Sequence, residues 1–430
     1  MFSNTLKIAI AGIGTVGQGL LDLIKKSKLK HITNAKLEIS AIASRRKKKF
    51  TGELYKKTKI FDDAEKLLKF GDYDVLVELI GGEDGIAKKI VFDALKKKKN
   101  VVTANKALVS KHWDQLKKLS LDNECSIKFE AAVAGGIPII KVIDDFLVSN
   151  KIKRIYGILN GTSNYILSNM LITNKNFDEI LFNAQELGYA ESDPSFDIDG
   201  VDTAHKLSIL SSLSFNINSN IEYINVEGIR GINLVDLKYA DSLGYKIKLL
   251  GITETHKNKI GSFVYPCLVE KKSLISNVDG VYNGIVVESD FCKKSFFQGE
   301  GAGSFPTATS VLSDIITILK SGSASFTLKL PKDNTDFAKI EERFGSYYLR
   351  FTTLDKPGVV SGISNQFKKC DISMKSMLQK DPLKDDINQA TIVVTTHNCK
   401  EKNMITALNK IDKLDFILKK TVYLRIESFK

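Results

Sequence analysis

Residues 6–11 form a short apolar run, Leu-Lys-Ile-Ala-Ile-Ala, that ends in Gly12, Ile13, Gly14, Thr15, Val16 and Gly17, and an amphipathic segment continues to about Lys26. Strand, glycine turn and helix in that order admit few folds. In a G-x-G-x-x-G turn the first glycine permits a tight reversal and the second lets the backbone approach a pyrophosphate. The third allows the helix to pack closely on the strand, and the helix N-terminus faces the phosphates. A dinucleotide contacted by Gly12, Gly14, Thr15, Val16 and Gly17 is the expected ligand.

The following residues extend the pattern. Strand candidates at 37–43, 74–80, 100–103 and 126–132 alternate with helix-length segments at 62–70, 86–97 and 111–121. Such alternation specifies an α/β, doubly wound, Rossmann-like parallel sheet over residues 1–135. After Gly135 and Gly136 the texture changes. A helix at 138–147, a strand at 152–159, helices at 178–187 and 200–215, and strands at 221–229, 246–254, 263–269 and 284–289 make a mixed α+β domain over 136–335. The helix after Gly303 is expected to pack back on the first domain. A polar run at 331–336 precedes a third region, 346–430, which reads strand, turn at 355–358, helix, strand, strand, helix, strand: a βαββαβ, ferredoxin-like module.

Three domains suit 430 residues, more than one core ordinarily serves. No run of about 18 apolar residues and no secretory leader pattern occurs, so a cytoplasmic protein with no membrane contact is expected. The net charge of +13 is spread over short lysine runs such as 47–49 and 96–99, without interleaved aromatics, which argues for solvated basic faces and against a nucleic-acid partner. Cys125, Cys267, Cys292, Cys370 and Cys399 are odd in number and lack C-x-x-C spacing, which excludes a disulfide framework and a cysteine zinc site as readings.

Cofactor choice is read after the second strand, where an acid would accept from the adenosine ribose hydroxyl and a base would suit a 2′-phosphate. The chain has Ser44, Arg45, Arg46 and Lys47 there, which favours NADPH over NADH; a merely solvated basic loop is the alternative. The densest acidic stretch runs from Gly188 to Leu210. Within it Asp202 and Lys206 are four apart, so on a helix they share a face with Ile209 and Leu213, opposite Ala204, Ser208 and Ser211. A charged pair on an apolar stripe is either a structural ion pair or a functional one.

Gly12 to Gly17, the run Asn105-Lys106-Ala107, the run from Gly157 to Tyr165 containing Asn-Gly-Thr-Ser-Asn-Tyr, Gly188-Tyr-Ala-Glu191, the run from Asp199 to Leu207, and Gly301-Ala-Gly303 together resemble the homoserine dehydrogenase family along essentially the whole chain. The resemblance implies reversible NAD(P)H-dependent reduction of L-aspartate 4-semialdehyde to L-homoserine. It implies Lys206 as proton donor, Asp202 and Glu191 as substrate-binding acids, and Lys106 as a second active-site lysine touching cofactor and substrate. Gly188 and Gly303 would meet the nicotinamide half of the cofactor, and Glu130, Val133, Gly135 and Ile137 would hold sodium or potassium. Residues 136–335 would bind substrate and join subunits into a homodimer or homotetramer. Two departures from the family pattern, Thr203 and Glu300, touch no proposed catalytic group, and His205 is read as packing or surface. The C-terminal module resembles an ACT domain, which implies an amino-acid ligand, threonine being the candidate, or a purely structural joining role. Two alternatives compete: a dehydrogenase for another amino-acid-derived substrate, which need not carry Glu191, Asp202 and Lys206 together, and a non-catalytic NADPH and amino-acid sensor, which could dispense with Lys206.

Overall fold

In β1 (Thr5–Ala11) the residues Ile8, Ala9, Ile10 and Ala11 are all fully buried, a continuous apolar run such as strands covered on both faces require. The computed structural model describes residues 5–26, 36–45, 50–256, 259–321, 336–380 and 388–429. It divides into two interleaved units, one made of residues 1–161, 202–224 and 281–335, the other of 162–201, 225–280 and 336–430. One boundary of this division falls at residue 335, whereas none falls at 135, because segments distant in sequence return to each unit.

In the first unit β1 is followed by α1 (Thr15–Lys26), β2 (Lys36–Ala43), β3 (Lys59–Phe61), α2 (Leu67–Phe70), β4 (Val75–Glu78), α3 (Ile86–Lys96), β5 (Asn100–Thr103), α4 (Lys106–Lys111), α5 (Trp113–Asp122) and β6 (Ile127–Lys128). The six strands pair in parallel in the order β3-β2-β1-β4-β5-β6, the dinucleotide-fold order. The order reverses between β1 and β4, so the connections beyond their carboxyl ends leave on opposite sides and open a crevice there. Edge strand β3 carries no long apolar run and was not expected. The expected 126–132 strand is only β6, because the chain turns into a 3-10 turn at Glu130–Ala132.

The unit continues through α6 (Ile139–Lys141), which widens into a π turn at Val142–Phe146, and β7 (Ile152–Ile158). It is completed by α10 (Val201–Phe215), β11 (Tyr282–Ser289), β12 (Lys294–Glu300) and α12 (Ser304–Ser321). β7, β11 and β12 form antiparallel pairs. Ala308, Val311, Leu312, Ile315 and Ile318 of α12 share one core with Leu20, Leu21 and Ile24 of α1 and with the parallel strands.

The second unit holds α7 (Gly161–Thr173), α8 (Phe177–Glu186), α9 (Ser195–Ile198), β8 (Asn225–Val226), α11 (Leu234–Ser242) and the hairpin of β9 (Tyr245–His256) and β10 (Lys259–Glu270). Its last part is β13 (Phe344–Leu354), α13 (Val359–Lys369), β14 (Met374–Lys380), β15 (Gln389–Thr396), β16 (Cys399–Lys400), α14 (Glu401–Ile411) and β17 (Ile417–Glu427). This is the expected βαββαβ module: antiparallel strands in the order β17-β13-β15-β14, covered by Ile363, Phe367, Met404 and Leu408 of its helices. β17 extends along β10, and buried Arg425 there is matched by Glu401 at 2.6 Å and Glu227 at 2.8 Å. No helix among the described residues is long and apolar enough to cross a membrane.

Candidate active site

The three glycines of the first turn do three different jobs. Gly12 has φ 100°, and a Cβ there would lie 2.6 Å from the Leu79 carbonyl oxygen; a Cβ on Gly17 would lie 2.4 Å from the carbonyl oxygen of Gly12. A Cβ on Gly14 meets nothing within 4 Å, and Gly14 and Thr15 are exposed at the N-terminus of α1. The first and third glycines therefore close the fold, while the second leaves backbone open to a phosphate, so the residues present fit a dinucleotide. Gly17→Ala is expected to lower stability by about 1–3 kcal/mol through overpacking. Gly14→Ala should leave the melting temperature unchanged yet weaken dinucleotide binding by roughly tenfold. Thermal melts and a fluorescence titration of NADPH on both variants check the split.

Gly303, with φ 119°, is brought to this turn, since the hydroxyl of Ser304 donates to the Thr15 carbonyl at 2.8 Å. Val16 is half-buried behind the turn. Arg45 is exposed just past β2, whereas Arg46 and Lys47 lie outside the described residues.

Lys106, Asp202 and Lys206 converge although α4 and α10 are far apart in sequence. The Lys106 Nζ lies 2.6 Å from Asp202 Oδ1, and the Lys206 Nζ lies 2.8 Å from Asp202 Oδ2. Lys206 also donates to the Leu159 carbonyl at 2.6 Å, and Asn160 donates to Asp202 Oδ2 at 2.8 Å. Asn283 donates to the same Leu159 carbonyl at 3.0 Å. Asp202 is 2% exposed and Lys206 8%, whereas a third of the Lys106 side chain reaches solvent. Burial works to raise the Asp202 pKa, but the charges of Lys206 and Lys106 outweigh it and hold the carboxyl well below the usual carboxylate range. Two cations around one carboxylate leave a net positive, largely dry cluster suited to a developing negative charge. Neighbouring His205 is buried, and burial together with Lys106 pushes its pKa down.

The start of α4 is fixed by a second layer. Fully buried Glu78, the last residue of β4, accepts from the Ile80 and Gly81 amides at 2.8 and 3.0 Å and from the Thr103 hydroxyl at 2.6 Å. Thr103 accepts from the Asn105 amide, and Asn105 caps the helix by accepting from Leu108 N at 3.1 Å. Lys106 is thus the first residue of a capped helix. None of Glu78, Asn160 and Asn283 was singled out from the sequence. Asn160 at least opens the Asn-Gly-Thr-Ser-Asn-Tyr run; Asn283 sits in an ordinary strand and gave no signal.

Glu130 is 2% exposed, and its carboxylate accepts from the Ile140 and Lys141 amides at 2.8 and 2.9 Å. Burial, reinforced by Asp314, pushes its pKa up to about 7. The Gly135 carbonyl accepts from the Ser310 hydroxyl at 2.6 Å, and the turn is bent by Ala134 and Gly135 at φ 55° and 50°. The Ile137 carbonyl accepts from Ile139 N at 2.8 Å, while Val133 is fully buried. No group of three or more His, Cys, Asp or Glu that could hold a metal occurs among the described residues.

Gly188 and Glu191 belong to the second unit. Gly188, φ 74°, terminates α8, its amide donating to the Gln185 carbonyl at 3.0 Å; Glu191 is exposed, and its main-chain carbonyl accepts from the Gln185 side chain at 3.0 Å.

Two family models match the chain: one described as homoserine dehydrogenase, NAD binding domain, over residues 12–130, and one described as homoserine dehydrogenase over residues 138–316. A homoserine dehydrogenase of Neisseria gonorrhoeae is 37% identical across 98% of this chain and 99% of its own length, and one of Helicobacter pylori is 38% identical across 98% and 99%. Among solved structures, a homoserine dehydrogenase from Thiobacillus denitrificans superimposes with a TM-score of 0.91 at 36% identity, covering 99% of each chain. A hyperthermophilic archaeal homoserine dehydrogenase in complex with NADPH aligns with a TM-score of 0.62 at 28% identity, over 74% of this chain and 98% of that one.

Proposed function

The chain belongs to the homoserine dehydrogenase family, and on that premise we propose how its own residues carry out the reversible NADPH-dependent reduction of L-aspartate 4-semialdehyde to L-homoserine. The observation that carries this reading is the buried Lys106–Asp202–Lys206 cluster. A dinucleotide would be held at Gly12 to Gly17 with Gly303 beside it, and when bound it would supply the hydride. As hydride reaches the aldehyde carbon, the carbonyl electron pair moves onto oxygen. The Lys206 ammonium stabilises that alkoxide and gives it a proton, leaving a neutral amine that solvent reprotonates. Asp202 holds Lys206 in place and, with Lys106, orients substrate and cofactor. In the reverse direction neutral Lys206 takes the hydroxyl proton.

Glu191 as a second substrate-binding acid and Gly188 as a nicotinamide contact rest on the family resemblance. So does a homodimeric or homotetrameric assembly, whereas NADPH preference is supported by Arg45 and Arg46 after the second strand. A sodium or potassium ion held by Glu130 and the main-chain oxygens of Val133, Gly135 and Ile137 rests on the resemblance as well, all-oxygen ligation being suited to a hard cation. The βαββαβ module is read as an ACT domain that binds threonine and, by favouring one conformation, slows turnover.

A single assay tests the reaction, the dinucleotide preference, the threonine response and the cation: NADPH absorbance followed with aspartate semialdehyde, in parallel with NADH, with added threonine, and with potassium replaced by tetramethylammonium. NADPH oxidation faster than NADH oxidation, slowed by threonine and by loss of potassium, is expected. No oxidation with either dinucleotide would remove the dehydrogenase reading; indifference to threonine or to potassium would remove only the corresponding site.

A further inference from the structure

A cavity of about 120 Å³ lies in the first unit between α5, the residues that follow α6 and the C-terminal end of α10, away from the Lys106–Asp202–Lys206 cluster. A single water needs on the order of 10–15 Å³ of such space, so the cavity holds a molecule of several non-hydrogen atoms. Its walls combine Trp113 and Lys117 of α5 with Ser214 and Asn216 near the end of α10, and with Asp144 of the π turn. The same helices tie it to the chemistry, since α10 carries Asp202 and Lys206 at its other end and α5 continues from α4, which begins at Lys106.

Two hydrogen-bond donors here have no acceptor, and a third, an ammonium, has a single one. Lys117 is 3% exposed, forms no ion pair among the described residues, and donates only to Asn216 Oδ1 at 3.2 Å. Burial draws its pKa down to about 8 in spite of the attraction of Asp114 one turn earlier on the helix. The indole Nε1 of Trp113 and the hydroxyl of Ser214 are buried with no hydrogen-bond partner. Native interiors rarely leave such groups unmatched. A carboxylate, with about four acceptor positions on two oxygens, satisfies several of them at once. Asp144 on the same wall opposes a polyanion and suits an ammonium group, while Ile143, Leu147 and Ile152 supply an apolar side.

We propose that this cavity is a binding site for a small neutral α-amino acid, its carboxylate held by Lys117, Trp113 and Ser214 and its ammonium directed to Asp144. Trp113 is the only tryptophan in the chain, so its emission reports on the cavity alone. The probe is L-alanine titrated into the full-length protein, with L-alaninamide as a control that lacks the carboxylate.

A saturable change in tryptophan emission with L-alanine, absent with the amide, is expected. Lys117→Met should weaken it at least about tenfold while NADPH binding is unchanged. No saturable change up to about 50 mM, where even millimolar affinity saturates, would overturn the proposal and leave the cavity to water. An equal response to the amide, or an unchanged curve in Lys117→Met, would overturn it as well. Should that variant fail to fold, Ser214→Ala replaces it, with roughly threefold to tenfold weaker binding expected, and an unchanged curve again overturning the proposal.

Discussion

Lys206→Ala is expected to lower the turnover of NADPH-dependent aspartate semialdehyde reduction by roughly 10²–10⁴-fold, the scale of a positioned proton donor. The alkoxide formed by hydride arrival would then face Lys106, whose side chain is one-third exposed and so gives a weaker, better-solvated charge. Asp202 keeps Lys106 and Asn160 as partners in this variant, so the fold should survive. NADPH affinity should hardly move, because the glycine turn is built from β1 and α1 without any contribution from α10. Steady-state kinetics together with an NADPH titration read both quantities. Turnover within a few-fold of the parent would remove Lys206 from the chemistry.

Asp202→Ala should produce the largest loss of stability of any single change at the site. It removes the carboxylate that the ammoniums of Lys106 and Lys206 share and to which the Asn160 amide donates. Breaking a buried pair from one side costs about 3–5 kcal/mol, and the low end applies because Lys106 can turn toward water. In a unit of this size about 3 kcal/mol corresponds to a fall in melting temperature of roughly 6–12 °C. The pH dependence has a definite sign. A carboxyl whose folded pKa is depressed contributes stability that is fully present above its unfolded value, about 3.9, and is lost only as pH falls through the folded pKa. The difference between parent and variant should therefore be constant from about pH 6 to 8 and shrink in acid. An unchanged melting temperature at pH 7 would mean that the two lysines separate without cost.

The glycine turn and the sheet around it were legible because they depend on local stereochemistry. Gly12 and Gly17 are dictated by positive φ and by backbone contact, and covered parallel strands announce themselves as apolar runs. The C-terminal βαββαβ order was legible for a related reason: each of its helices buries one face and leaves the other in water. Periodicity failed where buried and exposed positions do not divide into an apolar and a polar face. α7, with Thr162, Ser163, Asn164, Ile166, Leu167 and Met170 all buried, has no polar stripe to mark it and was missed. α10 was found, but the face opposite Asp202 and Lys206 is as buried as the rest: Ala204, Ser208 and Ser211 are wholly enclosed.

The sequence alone, then, determined where backbone is left open to a phosphate, and spacing put Asp202 and Lys206 on one face of a helix. It left open whether that pair was structural or functional, because a pair four residues apart looks the same in either case. The tertiary structure supports the functional reading by bringing in what no local pattern encodes: Lys106 from another helix, the Leu159 carbonyl, and the amides of Asn160 and Asn283. Backbone conformation is a property of neighbours along the chain, whereas a charge acquires its strength from the groups that packing places beside it and from the water that packing removes.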